Sequence, residues 1–249
     1  ENVSKEDVRR KENRPRTGKD YRQGKDVTPE QFTDTFGFRG VEFGNWVSQG
    51  KNTQERQGML NEAYDAMMDL ADIVGIPPKA ISLNGTLGLG FGSRGRGWAS
   101  AHYEPDMVVI NLTKTRGAGT LAHEWFHALD NYFQRQRGIK GVAREKSYIT
   151  YSPETYYEEK GGFRLSEARY NEIRKRGGVK NPADWKKIEG VRPEVEQAFK
   201  KLVDTLNASP MAERVSYIKN KYWSRIIERA ARSFENYVIA EMSRKGYQN

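Results

Sequence analysis

Residues 120–130 read TLAHEWFHALD. Two of the chain's three histidines, His123 and His127, stand four apart here, with Glu124 directly after the first. On an α-helix, positions i and i+4 project from nearly the same face, one turn apart. The pair can therefore close on a single metal ion, with Zn–N distances of about 2.0–2.1 Å expected. Glu124 lies roughly 100° around the helix from His123. That is a poor position for a third ligand and a good one for reaching a water at the ion's open side. H-E-x-x-H divides the work in this way, into two ligands and one general base. Trp125 and Phe126 point to the other faces, where they anchor the helix in a core. A bare H-x-x-x-H is more often a pair of satisfied core histidines. The glutamate in the base position and the apolar residues on the remaining faces turn the reading toward a metal site.

A catalytic zinc takes three protein ligands and keeps one position open. The downstream-histidine form, H-E-x-x-H-x-x-G-x-x-H, fails because Phe133 occupies the last ligand position. The chain has no cysteine, which excludes disulfides, thiolate ligands and cysteine nucleophiles together. His102 lies in a strand pair and has no ligand spacing to the motif. A carboxylate from the last helix, SRIIERAARSFENYVIAEM, is the natural candidate. Glu228 and Glu235 both border its apolar stripe of Ile227, Ala231, Phe234 and Val238. Being seven apart they share a face, and spacing does not separate them.

Upstream, GMLNEAYDAMMDLADIVGIPP reads as a helix. Leu60, Ala63, Met67, Leu70, Ala71 and Val74 form one face, Gly75 is the stop, and Pro77-Pro78 prevent continuation. AISLNG and LGLGFGSRGRGWASAHYEPDMVVINLT read as strands, with a hairpin turning at Glu104 to Asp106 and a strand MVVINLT entering the motif helix through GAGT. The glycines of 85–97 lack the strand–G-x-G-x-x-G–helix context of a nucleotide site. Glycine-rich FTDTFGFRGVEFGNWV reads as packed loop and short strand, with Phe36, Phe38, Phe43 and Trp46 in the core. Residues 1–30 are a polar arm, and 31–249 are read as a single catalytic domain. Within it, 135–215 form a basic, mostly helical insertion.

Hydrophobic residues make up 36% of the 249-residue chain and charged residues 30%, and no apolar run approaches a membrane span. ENVSKEDVRR is no secretory leader, and the missing initiator methionine suggests a processed piece of a longer protein. A cytoplasmic setting is the expectation, with no membrane partner. The net charge of +9 is concentrated in residues 135–190, which hold fourteen Lys/Arg against eight Asp/Glu. Such an excess suits nucleic acid, although a solvated face explains it as readily. Lys186 and Lys187 beside Trp185 suggest weak, sequence-indifferent DNA binding.

Three longer stretches, FGFRGVEFGNWV, AHYEPDMVVINLTKTRGAGTLAHEWFHALDNYF and IERAARSFENYV, resemble the zincin-like metallopeptidase of phage and plasmid polyvalent proteins, large polyvalent protein-associated domain 1. The resemblance covers about 18–135 and 222–240. More distantly, HEWFHALD and IERAARSF resemble the lethal-factor type of gluzincin. These resemblances imply an α+β zincin-like fold with a small mixed sheet, a zinc cofactor and hydrolysis of a protein or peptide substrate in a mobile-element setting. They imply Glu228 as third ligand and a tyrosine shortly upstream, Tyr222 in preference to Tyr217, at the developing oxyanion. Arg232 stands where the toxin-like relatives carry a second glutamate. Asp130 is a candidate to orient a ligand histidine or to stabilise the helix end. In zincins the strand before the active helix is a sheet edge that pairs with substrate, a role that MVVINLT would fill. The competing reading is a silent zincin-shell module associated with DNA.

Overall fold

The computed structural model describes residues 16–43, 53–91, 101–112, 118–138, 146–217, 222 and 225–247. Among them the helices are α1 (Pro29–Phe36), α2 (Thr53–Val74), α3 (Ala118–Gln136), α4 (Glu167–Lys175), α5 (Pro193–Ala208), α6 (Pro210–Ser216) and α7 (Ile226–Arg244). The strands are β1 (Val41–Phe43), β2 (Gly88–Phe91), β3 (Ala101–Glu104), β4 (Val109–Leu112), β5 (Tyr156–Glu159), β6 (Arg164–Ser166) and β7 (Trp185–Ile188). This is a mixed α+β chain, and it divides into two compact units, residues 1–128 with 231–249, and residues 129–230. Both divisions fall inside a helix, α3 and α7, and each helix is continuous through its division. No helix among the described residues is long and apolar enough to cross a membrane.

The first unit holds a four-stranded mixed sheet in the order β1-β2-β4-β3. β1, β2 and β4 run parallel, and β3 returns antiparallel to β4, with Tyr103 opposite Ile110 and His102 opposite Asn111. The hairpin lies where the sequence places it, but β4 is an inner strand. The edge among the described residues is β3, which corrects the assignment of MVVINLT. Met107 and Val108 belong to the turn, with Val108 in the left-handed region at φ 54°. β2 is buried at all four positions. A Cβ on its Gly88 would stand 3.0 Å from Val109 Cγ2 and 3.2 Å from an Arg39 nitrogen. That glycine serves close strand packing.

α1 replaces the expected loop. Thr28 and Gln31 form a reciprocal capping box, Pro29 opens the first turn, and Gly37 closes the helix at φ 69°. The glycines that argued against a helix begin where this one ends. Phe32 and Phe36 are fully buried and meet Phe38 and Tyr64, with centroids 5.1–6.2 Å apart. The side chain of Phe43 and all of Trp46 lie outside the described residues. AISLNG is likewise a 3-10 segment (Pro78–Ser82) followed by a turn, because the two prolines preset its first turn.

α2 buries the expected face and ends at Gly75, whose N–H bonds to Ala71 C=O at 2.9 Å. Its other side carries a row the pattern did not foretell, Asp65, Asp69 and Asp72. Residues 16–28, read as an arm, are fastened to that row. Arg16 binds fully buried Asp69 through two bonds of 2.8 and 2.7 Å, Arg22 binds Asp65 at 3.0 Å, and Lys19 binds Asp72 at 2.8 Å. Lys245, just after α7, shares Asp72 at 2.8 Å. Its two lysines, Lys19 first, hold the Asp72 carboxyl below its ordinary range.

The second unit contains a sheet the sequence reading missed, β6-β5-β7, antiparallel throughout. The insertion thus carries a small sheet beside its helices. Its strands are three or four residues long, YYEE, RLS and WKKI, too short to show a period-2 alternation. Tyr170 on α4 stacks on Tyr157 of β5 at 3.7 Å and leans on Trp185 at 5.3 Å. At the end of α3, the Arg137 guanidinium donates to the carbonyls of Ser152 and Pro153 at 2.6 and 2.7 Å.

If the arm is part of the packed unit, its two kinds of ion pair should differ in weight. Arg16→Ala strands a buried carboxylate and should cost about 2–4 kcal/mol in urea unfolding. Lys19→Ala acts on an outer, solvent-screened pair and should cost clearly less than Arg16→Ala. Equal, small losses would mean that residues 16–28 do not contribute to the core.

Candidate metal centre

α3 forms because its apolar residues recur at helical spacing, and Leu121, Ala122, Trp125, Phe126 and Ala128 are buried. Trp125 pins the helix by donating its indole N–H to Ile81 C=O at 2.9 Å. α7 packs on it through Phe234, with ring centroids 5.1 Å from Phe126 and 5.8 Å from Trp125. The three residues around the motif's ligands thus hold two helices side by side.

His123 and His127 are 7% and 6% exposed, and their Nε2 atoms lie 3.2 Å apart. Two nitrogens bound at about 2.05 Å to one tetrahedral ion stand roughly 3.3 Å apart, so the pair already has the spacing of a shared metal. Glu228, 6% exposed, joins them, and one ligand atom from each of the three lies within 4.8 Å of the others. A triangle of that size puts every corner within about 2.8 Å of a common point, so inward shifts under roughly 1 Å reach the 2.0–2.2 Å of zinc. Two imidazoles and a carboxylate are a donor set that suits such an ion.

Glu235 takes the other side of His123, with its Oε2 3.3 Å from Nδ1. A ligand histidine commonly gives its second nitrogen to a carboxylate, which fixes ring and tautomer. The two glutamates that spacing left equivalent thus have different places. Arg232 lies 3.8 Å from Glu235.

Glu124 is half-buried and accepts the Tyr103 backbone N–H at 2.7 Å, which joins the motif helix to the edge strand. No sequence signal announces this bond, because it depends on strand register. Both oxygens of Asp130 accept from Thr150, from its N–H at 2.9 Å and its hydroxyl at 2.6 Å. The bonds tie the second half of α3 to the turn at Ile149–Tyr151. His102 sits apart in a cluster with Glu104 at 3.0 Å, and Asn111 donates to the same Glu104 oxygen. Tyr222 is 41% exposed just ahead of α7, and Tyr217 is 79% exposed at the end of α6.

Comparison with family models finds similarity to large polyvalent protein-associated domain 5 over residues 1–35. The similarity supports a connection to polyvalent proteins. It is to domain 5 rather than the expected domain 1, and it includes none of the motif residues. No curated protein and no solved structure matches the chain.

The geometry orders the variants by metal affinity, measured by competition with a chromophoric chelator. His123→Ala, His127→Ala and Glu228→Ala each delete a donor and should lose stoichiometric metal. Glu235→Gln should weaken binding by about 10-fold, the lower range for an outer partner of a ligand histidine. A greater loss at Glu235 than at Glu228 would exchange their roles.

Proposed function

We propose that the chain is a zinc-dependent metallopeptidase of zincin type, with His123, His127 and Glu228 as metal ligands and Glu124 as general base. The observation that carries this reading is the buried cluster of those three donors, with Glu124 on the same helix. Two imidazoles and a carboxylate favour zinc over hard-oxygen metals such as magnesium. When bound, zinc would polarise the scissile carbonyl and ease deprotonation of water. Glu124 takes a proton from the attacking water and returns it to the departing amide nitrogen. Its bond from Tyr103 orients the carboxylate while leaving acceptor capacity, since a carboxylate offers about four lone-pair sites. Tyr222, exposed ahead of the ligand helix, is the proposed donor to the oxyanion.

Substrate placement follows from β3. In an antiparallel ladder alternate residues turn their backbone groups away from the partner strand. Tyr103 sends its N–H to Glu124, so Ala101 and Tyr103 face outward from β4. An extended peptide that adds a strand there would pass the general base. The motif resemblance to domain 1 and to lethal-factor-type gluzincins supports the same reading. The domain 5 similarity supports a polyvalent-protein setting, and a cytoplasmic working place is part of the proposal. In the silent-module alternative, a zincin shell associated with DNA, Glu124 serves only to hold the Tyr103 N–H.

Glu124→Gln separates chemistry from metal binding. It should retain one zinc per chain and lower peptide hydrolysis by about 10²–10⁴-fold, the usual weight of a general base. Unchanged cleavage by this variant would remove Glu124 from the mechanism. Absence of any zinc-dependent cleavage by the wild-type chain across a mixed peptide library would remove the peptidase reading.

A further inference from the structure

The second unit carries almost all of the chain's net charge. Residues 129–230 hold 22 Lys/Arg against 14 Asp/Glu, a net +8 of the total +9. Many of these cations are committed. Lys187, singled out by the sequence, pairs with Glu167 at 3.0 Å and Glu189 at 3.5 Å, and Arg176 pairs with Glu172 at 2.9 Å. Arg174, Lys175, Lys180 and Lys186 are exposed and enter no ion pair among the described residues.

Arg174, Lys175 and Lys180 lie at the end of α4 and in the loop that leads to Trp185, at one end of the three-stranded sheet, whereas Lys186, in register with Glu158, takes the face opposite Trp185. The β5–β6 turn is closed by Gly162 N–H to Glu159 C=O at 2.7 Å, and Glu159 registers with Trp185 at the start of β7. β6 runs away from that end, and α4 returns along the sheet, so its last residues and the following loop arrive beside Trp185. At the same end Phe163 is 58% exposed, with its ring edge-on to Trp185 at 6.2 Å. Trp185 rests in turn on the Tyr170–Tyr157 stack. Phe163 is therefore the exposed terminus of a braced aromatic column, at a sheet end that also carries Glu159 and the Lys160–Asp184 ion pair at 2.6 Å.

We infer that this end of the second unit is a docking site for single-stranded nucleic acid, in which Phe163 stacks an unpaired base and Arg174, Lys175 and Lys180 neutralise flanking phosphates. A flat ring offered edge-free to solvent can stack on a base only where the base is unpaired, and cations spaced around it follow a flexible backbone. A duplex hides its base faces and leaves Phe163 unused. The inference is independent of the metal centre.

The test titrates the full chain with a labelled oligothymidylate of about 20 nucleotides, a length that exceeds one such site. Three phosphate contacts at about 0.7 counterions each give a slope near −2.1, so affinity should fall about 18-fold between roughly 50 and 200 mM salt. Phe163→Ala should weaken binding at least about fivefold, the lower bound for one stacked base. Phe163→Trp should restore it, and unchanged thermal melting would show that the exposed ring is not needed for folding. Lys175→Glu with Lys180→Glu should flatten the slope by about 1.4. Heparin, a polyanion without bases, should be insensitive to Phe163→Ala. No binding at low salt, equal binding of duplex, or identical behaviour of wild type and Phe163→Ala toward the oligonucleotide would each overturn the assignment.

Discussion

His123 and His127 stand one helical turn apart, and that pitch is the constraint on which the candidate site depends. A turn of α-helix rises about 5.4 Å, yet the two Nε2 atoms lie 3.2 Å apart. The rings must therefore lean toward one another, and they do so nearly perpendicular, at 83°. Such an arrangement persists only where packing removes the alternative rotamers. Phe234 against Trp125 and Phe126 holds α7 on α3, which brings Glu235 to His123 Nδ1, and the bond from Trp125 to Ile81 C=O fixes the helix along its axis. The aromatic residues inside the motif thus hold the geometry that its polar residues use.

The same helix pair explains why the two glutamates differ. Positions seven apart share an α-helical face, but they are separated by about 10.5 Å along the axis. An imidazole presents its nitrogens in divergent directions, so one carboxylate can meet Nδ1 of His123 while the other approaches from the Nε2 side. Glu235 does the first, and Glu228 joins the ligand cluster. Face arithmetic discards the axial coordinate and leaves the pair ambiguous. The packing of α7 on α3 restores that coordinate.

What could be read in the sequence follows the same logic. α2, α3 and α7 were legible because each has a long apolar period, and the β3–β4 hairpin was legible because a turn signal separates two alternating runs. α1 was missed because eight residues with a capping box were outweighed by the glycines beyond it. The β5–β7 sheet was missed because strands of three or four residues carry too few alternations to stand out from loop. The His123–His127 pair could be found from spacing alone. The Glu124–Tyr103 bond could not, since it joins a helix position to a strand position and nothing local encodes that register. Arg16 with Asp69, 53 residues apart, escaped for the same reason. A charge on a helix reads as solvated until its partner from a distant segment is known.

The distribution of charge bears on how the two units can be specialised. The first unit holds 20 Lys/Arg against 19 Asp/Glu, and its conspicuous acidic groups, Asp65, Asp69 and Asp72, are spent on fastening residues 16–28 and the segment after α7. A nearly neutral unit exerts little long-range pull on a charged ligand, because beyond about 8–10 Å exposed charges are screened at physiological salt. The second unit, at +8, keeps a net field after its own pairs are counted. The peptide edge proposed at β3 and the nucleic-acid site proposed at the cationic sheet end would therefore differ in how they respond to their ligands. Strand addition at β3 depends on backbone hydrogen bonds and should respond weakly to ionic strength, whereas phosphate contacts release counterions and respond steeply. Salt dependence is thus the property by which the two surfaces can be told apart within one chain.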